Sequence, residues 1–193
     1  RGAIIKNPLD YLFSIFNSTS SAPNFDIETN YQMMLQTYWS SGSLGMSYHQ
    51  PPSVGGWTAY YQAPNFSKLW INSSYIKLRF DMGSYVTLWG GIPANGNNFQ
   101  VNHFDFLNNL SVPSDPVQVI EDMVLVFCSK GLPDPQKLIL KNILLNGLPD
   151  FEWTIQYNDY LADPTNTAVS DPVKQRLAIT LDSLFKLPEF QTI

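Results

Sequence analysis

Two histidines, one cysteine and scattered serines and carboxylates are what this 193-residue chain offers to catalysis, and their spacing limits the chemistry they can do. His49 and His103 each lack the neighbouring His, Cys or carboxylate that a local metal motif requires. His103 and Asp105 stand two apart, a spacing that turns them to different faces of a helix. A surface or hydrogen-bonding role is the expectation for both histidines. Ser40-Ser41 and Ser73-Ser74 lie outside any G-x-S-x-G elbow, so no base is specified for a serine nucleophile. The stretch GSLGMS lacks the G-K-S/T ending of a phosphate loop. Glu121 and Asp122 are adjacent and diverge on a helix, while Glu152 and Asp159 have no partner fixed by spacing. A carboxylate pair of the glycosidase kind stays an open alternative. No metal motif and no cofactor motif is legible.

The better binding candidate is aromatic. In YHQPPSVGGWTAYYQAPNFSKLWINSS, residues 48 to 74, the rings of Trp57, Tyr60, Tyr61 and Trp70 could stack on a sugar or another flat ligand. The stronger reading is structural, because large aromatics beside Pro-Pro and Gly-Gly pin a loop to a core. Pro51 and Pro52 would stiffen the approach, and Gly55 or Gly56 would allow a turn that a Cβ forbids. Trp70 and Ile71 would then anchor the start of the next helix.

The elements that must position these residues are helical. Asn7-Pro8, Asp115-Pro116, Asp134-Pro135 and Asp171-Pro172 each match a capping side chain followed by proline at the first helical position. After Asp171, Val173, Leu177, Leu181, Leu184 and Phe185 form one helical stripe that ends near Pro188. After Asp26, Ile27, Tyr31, Met34, Leu35 and Tyr38 form another, predicting an amphipathic helix that buries this face. Residues 117 to 128 are apolar on several sides, which predicts a nearly surrounded central helix as the hub of the core. Gly147 is the expected left-handed terminus of the helix after Pro135, and Asp150 opens another. With a helix from Pro8 to Phe16 and one in FSKLWINSSYIKLRFDM, the total is about seven. Strict alternation is scarce, so strands should be few or absent. GGIPANGNNFQ reads as a loop, and a boundary near residues 90 to 102 could divide a single all-α domain.

Composition narrows the function classes. At 44% hydrophobic and 14% charged, the chain lies far from the disordered regime. A net charge of −5 without a Lys/Arg cluster lacks the footprint of a nucleic-acid binder. No stretch approaches the roughly 18 apolar residues of a membrane span. Cys128 is the sole cysteine, which excludes an intrachain disulfide and a multi-Cys zinc site, and its apolar surroundings suit a small buried hydrophobe. The start, RGAIIKNPLDYLF, has neither an initiator Met nor a signal-peptide layout, so an internal fragment or processed product is expected.

PPSVGGW followed by LWINSSYIKLRFDM, with RGAIIKNPLDYLF at the start and LFKLPEFQ at the end, resembles the bacterial domain-of-unknown-function 1800 family. The matching elements are Lys6, Asn7 and Pro8; Leu44 and Gly45; Pro51, Pro52, Gly56 and Trp57; Trp70, Ile71, Asn72 and Ser73; Arg79; and Pro188 to Gln191. They occur in the family's order across nearly the whole chain. The chain departs at Met46, where the family often has Gln. The resemblance implies a mostly helical, C-terminal part of a longer bacterial protein with an extracytoplasmic location, and it carries over no catalytic residue. Trp57, Trp70, Asn72 and Arg79 are the binding candidates it marks, while Lys6, Pro8, Pro51, Pro52 and Gly56 are its structural signature.

The sequence therefore predicts an irregular all-α bundle with a long Gly/Pro/aromatic loop. Its expected role is a structural or binding module, with a glycan or a protein as partner. The alternative is a hydrolase of an extracellular polymer or glycan, whose site is shared with an N-terminal half outside this chain. A cleft lined by Trp57, Trp70, Asn72 and Arg79 with converging carboxylates would favour the enzyme; a solid core there would favour the module.

Overall fold

The computed structural model describes residues 4–19, 26–57 and 70–193. Tyr60, Tyr61 and the first residues of the FSKLW segment lie outside them. The fold is all-α apart from one short hairpin. In chain order the described elements are α1 (Pro8–Ser18), α2 (Ile27–Ser43), α3 (Ser73–Thr87), β1 (Ile92–Ala94), β2 (Asn97–Phe99), α4 (His103–Asn108), α5 (Pro116–Phe127), α6 (Asp134–Leu145), α7 (Asp150–Ala162), α8 (Thr167–Phe185) and α9 (Pro188–Gln191).

Local capping chemistry sets most helix starts. The side chains of Asn7, Asp26 and Asp115 accept hydrogen bonds from the amides of Asp10, Thr29 and Val117, each supplying a partner for an otherwise orphaned N–H. Asp134 instead occupies the first turn of α6, after Pro133. Asp171-Pro172 does not open a helix at all: α8 starts one turn earlier, where Asn166 accepts from the Ala168 amide, and Pro172 lies inside it. At the other end of α6, Asn146 takes the left-handed conformation ahead of Gly147, with φ 52° and 78°.

The hub is α8 rather than α5. Val173, Leu177, Leu181, Leu184 and Phe185 are all fully buried, and α8 packs on α3, α4, α6, α7 and α9. Helix α5 buries Val119, Ile120, Met123, Val124 and Phe127 but exposes Val117, Val126 and Leu125, the last at 82%. It is two-faced, with an apolar outer side.

Helix α2 forms where its stripe predicts, but turns the opposite face inward. Thr29, Met33, Thr37 and Ser41 are buried, whereas Ile27 is 88% exposed and Tyr31, Met34 and Trp39 also face outward. The small hydroxyl residues can be buried because their side chains are satisfied locally: Thr37 donates to the Met33 carbonyl and Ser41 to that of Tyr38. This face meets α1 and the hairpin, and Asn95 donates to Thr29 Oγ1 across that contact at 3.1 Å.

The segment read as a loop is that hairpin. Asn95 and Gly96 both have positive φ, the Asn-Gly two-residue turn that joins twisted antiparallel strands, and Ile92 pairs with Phe99. Gly91 shows why the chain is unbranched there: an added Cβ would stand 2.5 Å from the Phe99 carbonyl oxygen. Ile92, Phe99 and Val101 belong to one hydrophobic cluster that also includes residues of α1, α5 and α8, so the core runs through residues 90 to 102.

Leu177→Ala should cost about 2–5 kcal/mol by the loss of buried methyl groups and the cavity left behind, whereas Ile27→Ser should stay within about 0.5 kcal/mol. Urea denaturation of the two variants checks the assignment of inner and outer faces.

Candidate functional site

Arg79 lies in the middle of α3 and is completely buried. Its guanidinium reaches three separate parts of the chain. Nε donates to the Trp70 carbonyl at 3.2 Å, Nη2 to the Lys6 carbonyl at 2.6 Å, and Nη1 to Gln191 Oε1 at 3.0 Å. Gln191 in turn donates through Nε2 to the Phe185 carbonyl at the end of α8. Tyr11 lies with its ring 5.0 Å from the Arg79 guanidinium carbon and donates its hydroxyl to the Arg79 carbonyl at 2.6 Å. Three other signature segments thus converge on one side chain, although they are scattered from residue 6 to residue 191.

The two ends are also stitched directly. The Lys6 amide donates to the Gln191 carbonyl, the Ile193 amide to the Ile4 carbonyl, and Ile5 bridges Thr192. Lys6 is buried as well, its ammonium 4.0 Å from the Phe190 ring centre and 3.4 Å from Ser14 Oγ. Burial lowers the Lys6 pKa to about 8 and that of Arg79 to about 10, because a low-dielectric surrounding disfavours the charged form. Burial likewise raises the Cys128 thiol to about 11, against the pull of nearby Lys6, so Cys128 is an inert core residue.

The remaining signature residues occupy varied settings. Pro8 is buried at the first position of α1, and Asn72 caps α3 by accepting from the amides of Ser74 and Tyr75. Leu44 is fully buried, and Gly45, with φ 96°, lets the loop come so close to α3 that an added Cβ would be 2.8 Å from the Tyr75 ring. At Met46, where the resemblance is broken, both backbone polar groups engage Ser41. Pro51 and Pro52 are exposed. Of the two neighbouring glycines it is Gly56 that takes positive φ. Trp70 is 1% exposed and packs against the half-buried Trp57, with ring centres 5.5 Å apart. Trp70 and Arg79 therefore offer no free surface to a ligand.

The chemistry-bearing residues stay apart. His49 is exposed, between the rings of Tyr38 and Tyr48. His103 is not at the surface: it is buried at the start of α4, beside the Thr87 backbone, with neither ring nitrogen in a well-formed hydrogen bond. Burial, with a smaller contribution from Lys174, lowers its pKa to about 4. The carboxylates are engaged singly: Glu121 with Lys137, Asp122 with Ser111 and Gln118, and the buried Asp182 with Ser84 and Lys186. Ser74 and Lys77 stand in the S-x-x-K spacing, but Ser74 is exposed and Lys77 is ion-paired with Asp81 on the surface of α3. Among the described residues no three His, Cys, Asp or Glu side chains form a metal-binding group, and no helix is long and apolar enough to cross a membrane. Comparison with protein-family models, curated proteins and solved structures returned no match.

Two outcomes are expected. Arg79→Met should destabilise by about 3 kcal/mol or more, since three buried acceptors lose their donor, and Arg79→Lys should restore less than half, because one ammonium lacks the planar fork that spans them; denaturant melts check both. A neutral His103 folded at pKa about 4 against about 6.5 unfolded means that the unfolded chain binds the extra proton in between. Its contribution is complete above pH 6.5 and is lost as pH falls toward 4, by up to about 3 kcal/mol. His103→Leu should flatten stability over that window relative to the parent.

Proposed function

We propose that this chain is a helical structural or binding module of a larger, exported bacterial protein of the domain-of-unknown-function 1800 type, and that its signature residues serve the fold. One observation carries the reading: Arg79, the candidate best suited to hold an anionic or glycan ligand, is fully buried and spends its donors on Trp70, Lys6 and Gln191. The solid packing around Trp70 and Arg79 supports a module over a cleft with catalytic carboxylates. Binding by such a module would use its outer faces, where Trp39 of α2 and Tyr48 are each more than half exposed. Ser47 and Gln50 add hydroxyl and carboxamide groups to a cleft of about 240 Å³ beside Trp39. Exposed rings beside such groups suit a glycan or a protein partner.

The test expresses this chain and its full-length parent and screens both by thermal shift against glycans, peptides and metal ions. Stabilisation of this chain by a glycan or peptide, abolished by Trp39→Ala without loss of fold, is the expected result. Turnover of a polymer by the full-length protein, lost on substitution of Asp or Glu residues of this chain, would replace the module with the hydrolase.

A further inference from the structure

A roomy cleft lies away from the signature, between α6 and the first half of α8, with a volume of about 760 Å³. Ile139, Ile143 and Ile179 form its apolar wall, while Asn142, Gln175 and Arg176 supply its polar groups. Among the described residues no carboxylate lines it. The guanidinium of Arg176 is the unusual feature: Nη1 is shielded from water yet has no hydrogen-bond partner. In the separate groove between α5 and α6, Lys137 pairs with Glu121 and Lys141 with Asp150, whereas Arg176 takes part in none of the ion pairs among the described residues. A desolvated donor left unmade costs free energy that a bound acceptor returns, and guanidinium is the side chain that recognises carboxylate through two parallel hydrogen bonds.

The other walls restrict the ligand. The cleft is bordered by the last turn of α6, whose carbonyl end carries partial negative charge. A dianionic phosphate is disfavoured there, and a monoanion that also brings an N–H donor is favoured. Carboxamides at Asn142 and Gln175 can accept from such an N–H, and the three isoleucines suit a branched aliphatic group.

We propose that the α6–α8 cleft binds the free C-terminal end of a peptide whose last residue is aliphatic, with its carboxylate on Arg176 and its side chain against Ile139, Ile143 and Ile179. The inference goes beyond the module reading and does not need it, since a hydrolase could carry the same site.

The experiment titrates isotope-labelled protein with N-acetyl-leucine and, as a neutral isostere, N-acetyl-leucinamide, following amide resonances by NMR. N-acetyl-leucine should saturate shifts confined to 139–147 and 172–179. N-acetyl-leucinamide should bind at least about tenfold more weakly, and Arg176→Gln should weaken N-acetyl-leucine by a similar factor with an unchanged melting temperature. Should Arg176→Gln fold poorly, Asn142→Asp serves instead, because a carboxylate in the cleft should repel the ligand to the same degree. Equal binding of acid and amide, unaltered binding in the variant, or no shifts up to about 20 mM probe, a concentration well above the millimolar range of weak sites, would each overturn the proposal.

Discussion

A single guanidinium joins segments that the chain keeps far apart. Arg79 hydrogen-bonds to Lys6, Trp70 and Gln191 from the inside of α3, so the entry to α1, the residue two before the α3 cap and the last helix are positioned relative to one another by one planar group. Such a group must stay charged and must have its donors met, because an uncompensated buried cation would be far too costly. Neutral acceptors meet that demand here: two main-chain carbonyls and a carboxamide, with the Tyr11 ring face nearby. The geometry specifies distances more narrowly than apolar packing can, since planar donors tolerate little misalignment.

The second cation, Lys6, follows from the first. Its carbonyl is drawn in by Arg79, so its side chain lies beside Phe190 and Ser14, and the proximity of the two charges adds to the burial that lowers its pKa. The aromatic residues of this corner form a continuous set, in which Phe190 contacts Tyr11, Phe127 and Phe185 edge-on or tilted. Their ring faces carry negative electrostatic potential, which suits a cation held away from water. The corner is therefore an apolar core that tolerates positive charge because of which apolar residues compose it.

What could be read from the sequence was what depends on neighbours along the chain. Asn7 and Asp115 cap as expected because a cap needs only an amide two or three residues away. The α8 stripe was legible because a helix buried along most of one side shows its period plainly. The α2 face was not, since its apolar side is the longer-chained one and the tertiary contact selected the small hydroxyl residues that let α1 and the hairpin approach. Asp171 misled because Pro172 sits within a helix already begun by Asn166. The Asn95-Gly96 turn was visible in the letters, but three-residue strands are too short to show alternation. At the candidate sites, Arg79 could be singled out by motif, but its partners could not be foreseen, since two of the three are carbonyls that every residue possesses. The unpartnered nitrogen of Arg176 leaves no trace in sequence at all.

The pairing of residues 4–6 with residues 191–193 also orders the fold in time. Contacts this distant in sequence close a long loop, and loop-closure entropy makes such contacts slow to form. During synthesis the Arg79 side chain emerges with Lys6 and Trp70 already made, but Gln191 and the strand-like segment that fastens Ile4 and Ile5 arrive much later. Until then the apolar corner around Tyr11 and Phe185 lacks Phe190. A nascent chain halted before residue 190 would hold a nearly complete bundle with its buried cation only partly satisfied.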